Sequence, residues 1–138
     1  MMLSAPAMLL TASATLLAAL IALWTAILVV PARRRSGIMP PATTGSPQLE
    51  CALRVQANTV EQIVIFLPAL WLASLYFQGW IPGVLGLVWC VGRILYTLSY
   101  RAEKPGAREP GFMIAIFSTL ALIILAGIGI VMAWVTVG

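Results

Sequence analysis

The placement of charged residues most limits how this 138-residue chain can fold. Every charged residue lies between Arg33 and Glu109, so the first 32 and the last 29 residues carry none. Each end is long enough to span a membrane, because about 20 apolar residues cross the hydrocarbon core. Only 9% of the residues are charged, against roughly a quarter in a soluble domain. The sequence therefore predicts an integral membrane protein, whose first apolar stretch we interpret as a retained helix and not a cleaved signal peptide.

The middle of the chain contains 31 uncharged residues, 62–92, which fit either one long helix or parts of two. The stretch FQGWIPG at 77–83 combines Gln, two Gly, Trp and Pro, which is typical of a turn. Charge topology also favours two helices. Four spans place both basic regions, 33–61 and 93–109, on one side of the membrane, as the positive-inside rule requires, whereas three spans would divide the basic residues equally.

The predicted fold is an all-α, four-helix membrane bundle that forms a single domain over residues 1–138. The positive-inside pattern predicts that both termini lie outside and that the two basic loops lie in the cytoplasm. The predicted helices cover about 3–31, 50–77, 81–100 and 110–136, and the predicted cytoplasmic loops cover 32–49 and 101–109.

Polar side chains form two stripes near the cytoplasmic ends of the second and third helices. Arg54, Asn58 and Glu61 are spaced i, i+4 and i+7, which places them on one helix face. On the third helix, the spacing i, i+3 and i+7 forms a stripe of Arg93, Tyr96 and Tyr100. Glu61 and Arg93 would both lie about 10 Å below the cytoplasmic surface. Equal depth and opposite sign predict that these two residues face each other.

Two interpretations of these stripes remain open. Ionisable groups in a membrane helix are costly and usually pair or mark a function, so Glu61 and Arg93 could simply neutralise each other. Alternatively, the stripes line a basic, amide-containing pocket that opens to the cytoplasm. Arginine binds carboxylates through paired hydrogen bonds, and a lone glutamate suits an ammonium group. Such a pocket fits a small zwitterionic ligand with more than one carboxylate, and an apolar second substrate could enter from the bilayer.

Metal chemistry is not expected from this sequence. The chain has no histidine, and its two cysteines, Cys51 and Cys90, lack metal-ligand spacing. We therefore expect no metal cofactor, no histidine-based catalytic triad and two reduced cysteines. No nucleic-acid partner is expected either.

The sequence that contains both stripes resembles the MAPEG family (membrane-associated proteins in eicosanoid and glutathione metabolism). This family includes the microsomal glutathione transferases. The resemblance extends from Ala32 to Gly111 and is greatest to bacterial members. Such a member would lie in the bacterial inner membrane, with both termini periplasmic and the active site facing the cytoplasm. The matching motifs are ARR at 32–34, PPATTG at 40–45, RVQANTVE at 54–61, LPALWLASLYF at 67–77 and GLVWCVGRILYTLSY at 86–100.

The resemblance implies a homotrimer that binds glutathione, its co-substrate, between neighbouring subunits. The implied activity is that of a transferase or peroxidase with a role in detoxification. Its second substrate would be a lipophilic electrophile, a hydroperoxide or a lipid, dissolved in the membrane lipid. The positions that match the family assign glutathione binding to Arg33, Arg34, Arg54, Gln56, Asn58, Glu61, Tyr96 and Tyr100. We add Arg93 to these residues because it lies in the polar stripe of the third helix.

Family enzymes stabilise the glutathione thiolate with an arginine after the third helix. Arg108 is the nearest candidate for this catalytic residue, and Arg101 and Lys104 remain alternatives. Two departures leave the lipid substrate open. Gln62 stands where leukotriene-forming members have tyrosine, and Cys51 replaces a basic residue.

Two other functions remain as alternatives. One is a non-enzymatic member of the same family that binds lipid or glutathione without turnover. The other, more distant, is a small multidrug transporter. Such transporters place their essential carboxylate on the first helix, which is uncharged here.

Overall fold

A computed structural model of the chain describes residues 5–137. Within them, four helices are long and apolar enough to cross a membrane, which confirms the predicted number of spans. A single π-helical turn, Ala73–Phe77, continues the second helix, and a 3-10 turn, Pro105–Arg108, precedes the fourth. The helices are α1 (Ala5–Ser36), α2 (Pro47–Leu72), α3 (Ile81–Ser99) and α4 (Glu109–Val137).

The α1 helix continues through Pro31 to Ser36, beyond its predicted end at residue 31. It ends where Gly37 adopts a positive φ of 70° and donates its backbone N–H to the Arg33 carbonyl at 2.9 Å. Glycine is the usual residue at such a helix end because it has no Cβ to clash. The last turn therefore carries three arginines, whose charge complements the negative end of the helix dipole. The first basic loop is accordingly shorter than predicted and covers residues 37–46.

Local sequence signals also explain where α2 and α3 begin. The Ser46 side chain accepts a hydrogen bond from the backbone N–H of Leu49, and Pro47 occupies the first helical position, where its missing N–H has no cost. The turn expected within 77–83 forms at Gln78 and Gly79, which both have positive φ. This tight turn returns α3 antiparallel to α2, so both basic loops lie at one end of the bundle. We call this the basic end.

Glycines on α3 and α4 bring the helices into backbone contact next to the polar stripes. A Cβ added to Gly92 would lie 2.9 Å from the carbonyl oxygen of Gly111 on α4. A Cβ at Gly111 would in turn overlap the backbone of Tyr96. Gly83 and Gly86 make similar approaches to α1. The small residues of α3 thus act as close-packing surfaces, and Gly111 sets the distance of Tyr96 from α4.

The interior of the bundle is mainly apolar below the polar stripes. The rings of Phe66 on α2 and Trp89 on α3 stack with their centres 4.0 Å apart, and both side chains are fully buried. Large apolar side chains cover the outside of all four helices, among them Leu16 and Trp134, which are well exposed. An apolar outer surface of this kind suits contact with lipid, consistent with an integral membrane protein.

Candidate functional site

A groove opens between α2, α3 and α4 at the basic end of the bundle. Its volume is about 560 Å³. We call it the basic-end groove, and its lining residues are Arg54, Asn58, Tyr96, Arg108, Glu109, Phe112 and Met113. Four of these, from three different parts of the chain, were predicted as site residues from the sequence. The groove therefore collects the polar residues of both helix stripes together with one loop arginine.

The Arg54 guanidinium pairs with the Glu61 carboxylate at the rim of this groove. Arg54 Nη1 lies 3.5 Å from Glu61 Oε1, and both side chains are more than half exposed. Asn58 lies between them on the helix, and its Nδ2 donates to Glu61 Oε2 at 3.5 Å. The expected pairing of Glu61 with Arg93 is therefore wrong. The two residues share a depth, but Glu61 faces the exposed rim, whereas Arg93 is buried between helices.

Arg93 lies directly beneath the groove and contacts α2. Its Nη1 donates to Asn58 Oδ1 at 2.9 Å, and its Nη2 donates to Thr59 Oγ1 at 2.6 Å. Its guanidinium carbon also lies 4.2 Å from the centre of the Tyr96 ring. The side chain is completely buried. Arg93, which the sequence placed among the ligand contacts, therefore does not line the groove but supports Asn58 and Tyr96 from below.

Arginine and tyrosine side chains alternate along one side of the site. The rings of Tyr96 and Tyr100 lie 5.6 Å apart at a tilt. Arg108 then covers the outer face of Tyr100, with its guanidinium carbon 4.3 Å from the ring centre. Cation–aromatic contacts of this kind contribute about 0.5–1 kcal/mol at exposed sites and more when water is excluded. The series Arg93, Tyr96, Tyr100 and Arg108 thus links the buried interior to the mouth of the groove.

The three cations considered for thiolate activation lie in different places. Arg108 lines the basic-end groove. Arg101 lines a separate cavity of about 310 Å³ on the α1 side of the bundle, together with Cys51. Lys104 is exposed and lines neither cavity. Of the three, Arg108 alone lies at the groove that contains the polar stripes.

Besides Glu61 at the rim, Arg93 beneath the groove and Tyr100, which lines the separate cavity on the α1 side, three predicted ligand-binding residues lie away from the groove of this chain. Arg33 donates from Nη1 to the carbonyls of Ile38 and Ala42, at 3.2 and 2.8 Å, and so closes the first loop. Arg34 is exposed on the last turn of α1. Gln56 follows Arg54 by two residues, which turns it to the opposite side of α2. A single chain therefore does not bring these three side chains to the ligand-binding residues of the groove.

Sequence reasoning missed the contribution of α4 and of Thr59. The first turns of α4 supply Glu109, Phe112 and Met113 to the groove. These follow Arg108 at i+1, i+4 and i+5, so a helix starting at Glu109 places them on one face. Only the position of the helix start could have revealed this face, because α4 is apolar nearly all round. Thr59 gave no signal, since threonine is common within membrane helices.

The groove combines features for a charged ligand and for an apolar one. Arg54, Arg108 and the Asn58 amide offer hydrogen-bond donors, while Phe112 and Met113 form an apolar wall. A second, apolar groove of about 410 Å³ lies further along α2 and α4 and faces outward. Among residues 5–137, no group of His, Cys, Asp or Glu is placed to hold a metal ion. With two arginines, the Asn58 amide and the Glu109 carboxylate beside an apolar wall, the site is suited to a small charged molecule with more acidic than basic groups that lies beside a lipophilic one.

Comparison with known proteins gives a consistent result. The family model described as the MAPEG family matches residues 11–128 of the chain. An uncharacterized protein of Synechocystis is 46% identical over 112 residues, which cover 80% of each chain. Microsomal glutathione S-transferase 2 of Homo sapiens is 39% identical over 105 residues, 76% of this chain and 71% of the human protein. Leukotriene C4 synthase of Cavia porcellus is 37% identical over 91 residues, 66% of this chain and 61% of the synthase.

Proposed function

The chain belongs to the MAPEG family, and we propose that it is a membrane-bound, glutathione-dependent transferase or peroxidase. The observation that carries this proposal is the position of Arg108, whose guanidinium lies at the same groove as Arg54, Asn58 and Tyr96. The name of the similar human protein, a microsomal glutathione S-transferase, supports glutathione as the co-substrate.

The charges of the groove match those of glutathione, which has two carboxylates, one ammonium group and one thiol. Arg54 and the Asn58 amide would hold a carboxylate, because both donate hydrogen bonds to anionic oxygens. Glu61, which is more than half exposed beside Arg54, would receive the ammonium group. Tyr96 and Tyr100 would form the wall along the peptide part of the ligand.

Arg108 would then act on the thiol. A free thiol has a pKa of about 8.5, so only a small fraction is ionised at neutral pH. A guanidinium beside the sulfur stabilises the thiolate and lowers the pKa of the bound thiol. The proton leaves to water, and therefore no histidine base is required. The thiolate sulfur attacks an electrophilic carbon to form a thioether, and the bond from that carbon to its leaving group breaks, so that an aryl halide, for example, releases halide with the bonding electron pair. With a hydroperoxide, the O–O bond breaks to give an alcohol and a glutathione sulfenic acid, which a second glutathione converts to the disulfide and water.

The second substrate is proposed to be lipophilic and to reach the thiolate from the bilayer. Phe112 and Met113 provide an apolar wall next to Arg108. The apolar groove between α2 and α4 lies further along the membrane-facing side. An electrophile dissolved in the lipid could therefore approach without crossing water.

We also propose that three copies of the chain assemble and that neighbouring copies complete each site. Support comes from Arg33, Arg34 and Gln56, which lie away from the groove of their own chain although they match family positions for glutathione binding. A neighbouring subunit could present them. In this arrangement the basic loops face the cytoplasm of a bacterial cell, at its inner membrane.

Glutathione titration of the purified protein in detergent tests the proposal. Calorimetry should show saturable binding, and an activated aryl halide should be converted to its glutathione thioether. Absence of binding would contradict the proposal as a whole. Binding without conversion of either an aryl halide or a lipid hydroperoxide would instead indicate the non-enzymatic alternative.

Mixed assemblies test whether sites form between subunits. Arg108→Ala and Gln56→Ala chains should each lose activity alone, while co-expressed chains should regain part of it. Recovery is expected because some interfaces then combine an intact Arg108 with an intact Gln56. If each site lay within one chain, every site in the mixture would carry one defect and no activity would return.

A further inference from the structure

The guanidinium of Arg93 is buried in the membrane bundle without a carboxylate partner. It is fully inaccessible, and among residues 5–137 no acidic side chain lies within salt-bridge distance of it. An ionised side chain at this depth is expensive for a membrane helix. Apolar residues of similar size could fill the same space at no such cost. The arginine therefore requires an explanation beyond packing.

The contact between Arg93 and Asn58 fixes which way the asparagine amide faces. Arginine carries five N–H donors and no acceptor. The atom of Asn58 that receives Arg93 Nη1 at 2.9 Å must therefore be the oxygen, Oδ1. The NH2 group then turns away from Arg93 and toward the groove, where its neighbour is Glu61 Oε2 at 3.5 Å. This distance is the outer limit for a hydrogen bond, so the amide hydrogens remain available to an acceptor that lies closer.

Arg93 is itself held in place from two further sides. Thr59 Oγ1 donates to the Val55 carbonyl at 2.7 Å, which leaves its lone pairs to accept from Arg93 Nη2 at 2.6 Å. The ring of Tyr96 covers the guanidinium at 4.2 Å. With both terminal nitrogens bonded and one face stacked, the guanidinium cannot rotate without losing contacts. It therefore transmits a fixed orientation to Asn58.

We infer that Arg93 is a positioning residue that holds the Asn58 amide with its NH2 group toward the groove. The groove next to this NH2 group is therefore a binding site for an anionic oxygen. The ligand class assigned to this site is a carboxylate, since Asn58 presents only donors there and Arg54 lies one turn away. The identity of the carboxylate as one of the two in glutathione rests on the proposed function. Arg93 itself does not contact the ligand.

The ligand-free protein provides a first test by nuclear magnetic resonance. The two side-chain N–H signals of Asn58 can be assigned through their loss in Asn58→Asp. In Arg93→Met, which removes the donors but keeps an unbranched side chain, these signals should shift and broaden as the amide gains freedom to flip. Arg93→Lys, which keeps one donor group, should restore them in part. The matched control is Arg35→Met at the exposed end of α1, which should leave them unchanged. Unchanged Asn58 signals in Arg93→Met would overturn the inference.

Glutathione affinity gives a second test through a double-mutant cycle of Arg93→Met and Asn58→Ala. A lost hydrogen bond to a charged group predicts that Arg93→Met weakens binding on the order of ten-fold. The same change in the Asn58→Ala background should have no further effect, because Arg93 acts through Asn58. Equal losses in both backgrounds would show a general structural role and contradict the inference. If the wild-type protein binds no glutathione, the proposed function fails, while the resonance experiment still decides the role of Arg93.

Asn58→Asp tests the same inference if Arg93→Met does not fold. Aspartate still accepts from Arg93 but replaces the NH2 group with a second oxygen. The variant should fold, because the carboxylate partner that Arg93 gains offsets the repulsion between the new oxygen and Glu61 Oε2, and it should bind glutathione more weakly. Binding as tight as that of the wild type would show that the donor face of Asn58 is not used.

Discussion

The guanidinium carbon of Arg108 lies 4.3 Å from the centre of the Tyr100 ring. Among the described residues, no carboxylate lies within salt-bridge distance of this arginine. An aromatic face therefore holds the cation at the groove without neutralising its charge. This arrangement suits a residue that must stabilise an anion brought by a ligand, because a bound carboxylate would compete with that anion.

Substitutions at Tyr100 are expected to distinguish the contribution of its ring to activity from that of its hydroxyl group. Tyr100→Phe keeps the aromatic face and should retain most of the glutathione-dependent activity. Tyr100→Leu removes the face and should lower kcat several-fold, since the contact contributes about 0.5–1 kcal/mol to the placement of Arg108. Steady-state rates of both variants check this. Equal activity in the leucine and phenylalanine variants would show that the ring does not position Arg108.

Glu61→Gln is expected to lower the affinity for glutathione without lowering the stability of the fold. The pair with Arg54 is more than half exposed on both sides, and exposed pairs contribute about 0–1 kcal/mol to stability. The melting temperature without ligand should therefore stay close to that of the wild type, while glutathione affinity should fall. Thermal melts with and without glutathione measure both effects. Glu103→Gln, outside the groove, is the matched control. A large loss of stability in the ligand-free Glu61→Gln protein would instead indicate a structural clamp.

Two glycines of α4 offer a matched test of helix packing. In Gly111→Ala, the added methyl group would overlap the backbone of Tyr96, whereas at Gly127 it would meet no atom within 4 Å. Gly111→Ala should destabilise the protein by about 1–3 kcal/mol through overpacking and displace Tyr96 from the groove. Gly127→Ala should cause no loss. Melting temperatures and glutathione affinities compare the two, and equal effects would contradict the assigned contact between α3 and α4.

Gln62 is expected to reduce stability in its present surroundings. Its side chain is buried one helical turn from Asn58 and one turn from Phe66, and within the described part of the chain neither amide atom has a hydrogen-bond partner. A buried unpaired polar group costs about 1–3 kcal/mol. Gln62→Met, which keeps the volume, should therefore raise the melting temperature. The control Gln48→Met, at an exposed position, should not. A lower melting temperature in Gln62→Met would show that the amide has a partner in the assembled protein.

Much of the fold follows from the sequence because it depends on local signals. The charge pattern predicts the number of spans, and the turn at Gln78 and Gly79 lies where the sequence predicts it. The Ser46–Pro47 pair explains where α2 begins. The predicted end of α1 at residue 31 is too early, because the helix continues through Pro31 and ends at Gly37. A proline in a membrane helix does not by itself end it.

The candidate site was predictable where it depended on spacing along one helix. The contacts of Asn58 and Arg54 with Glu61 follow from their i+3 and i+7 spacing. The relationship between helices was not predictable, because equal depth fixes a position along the helix axis but not the direction around it. For this reason Arg93 meets Asn58 and Thr59, and not Glu61. The choice among the loop cations depended on the 3-10 turn before α4, which has no periodic sequence signal.

The most direct test of the account is the ultraviolet absorbance of the glutathione thiolate in the bound state. At neutral pH, saturating glutathione should give a thiolate band with the wild-type protein and with Arg101→Ala. With Arg108→Ala, glutathione should still bind, but the band should disappear and turnover should fall by at least ten-fold, while assembly is unchanged. A full thiolate band and unchanged turnover in Arg108→Ala would show that Arg108 does not activate the thiol.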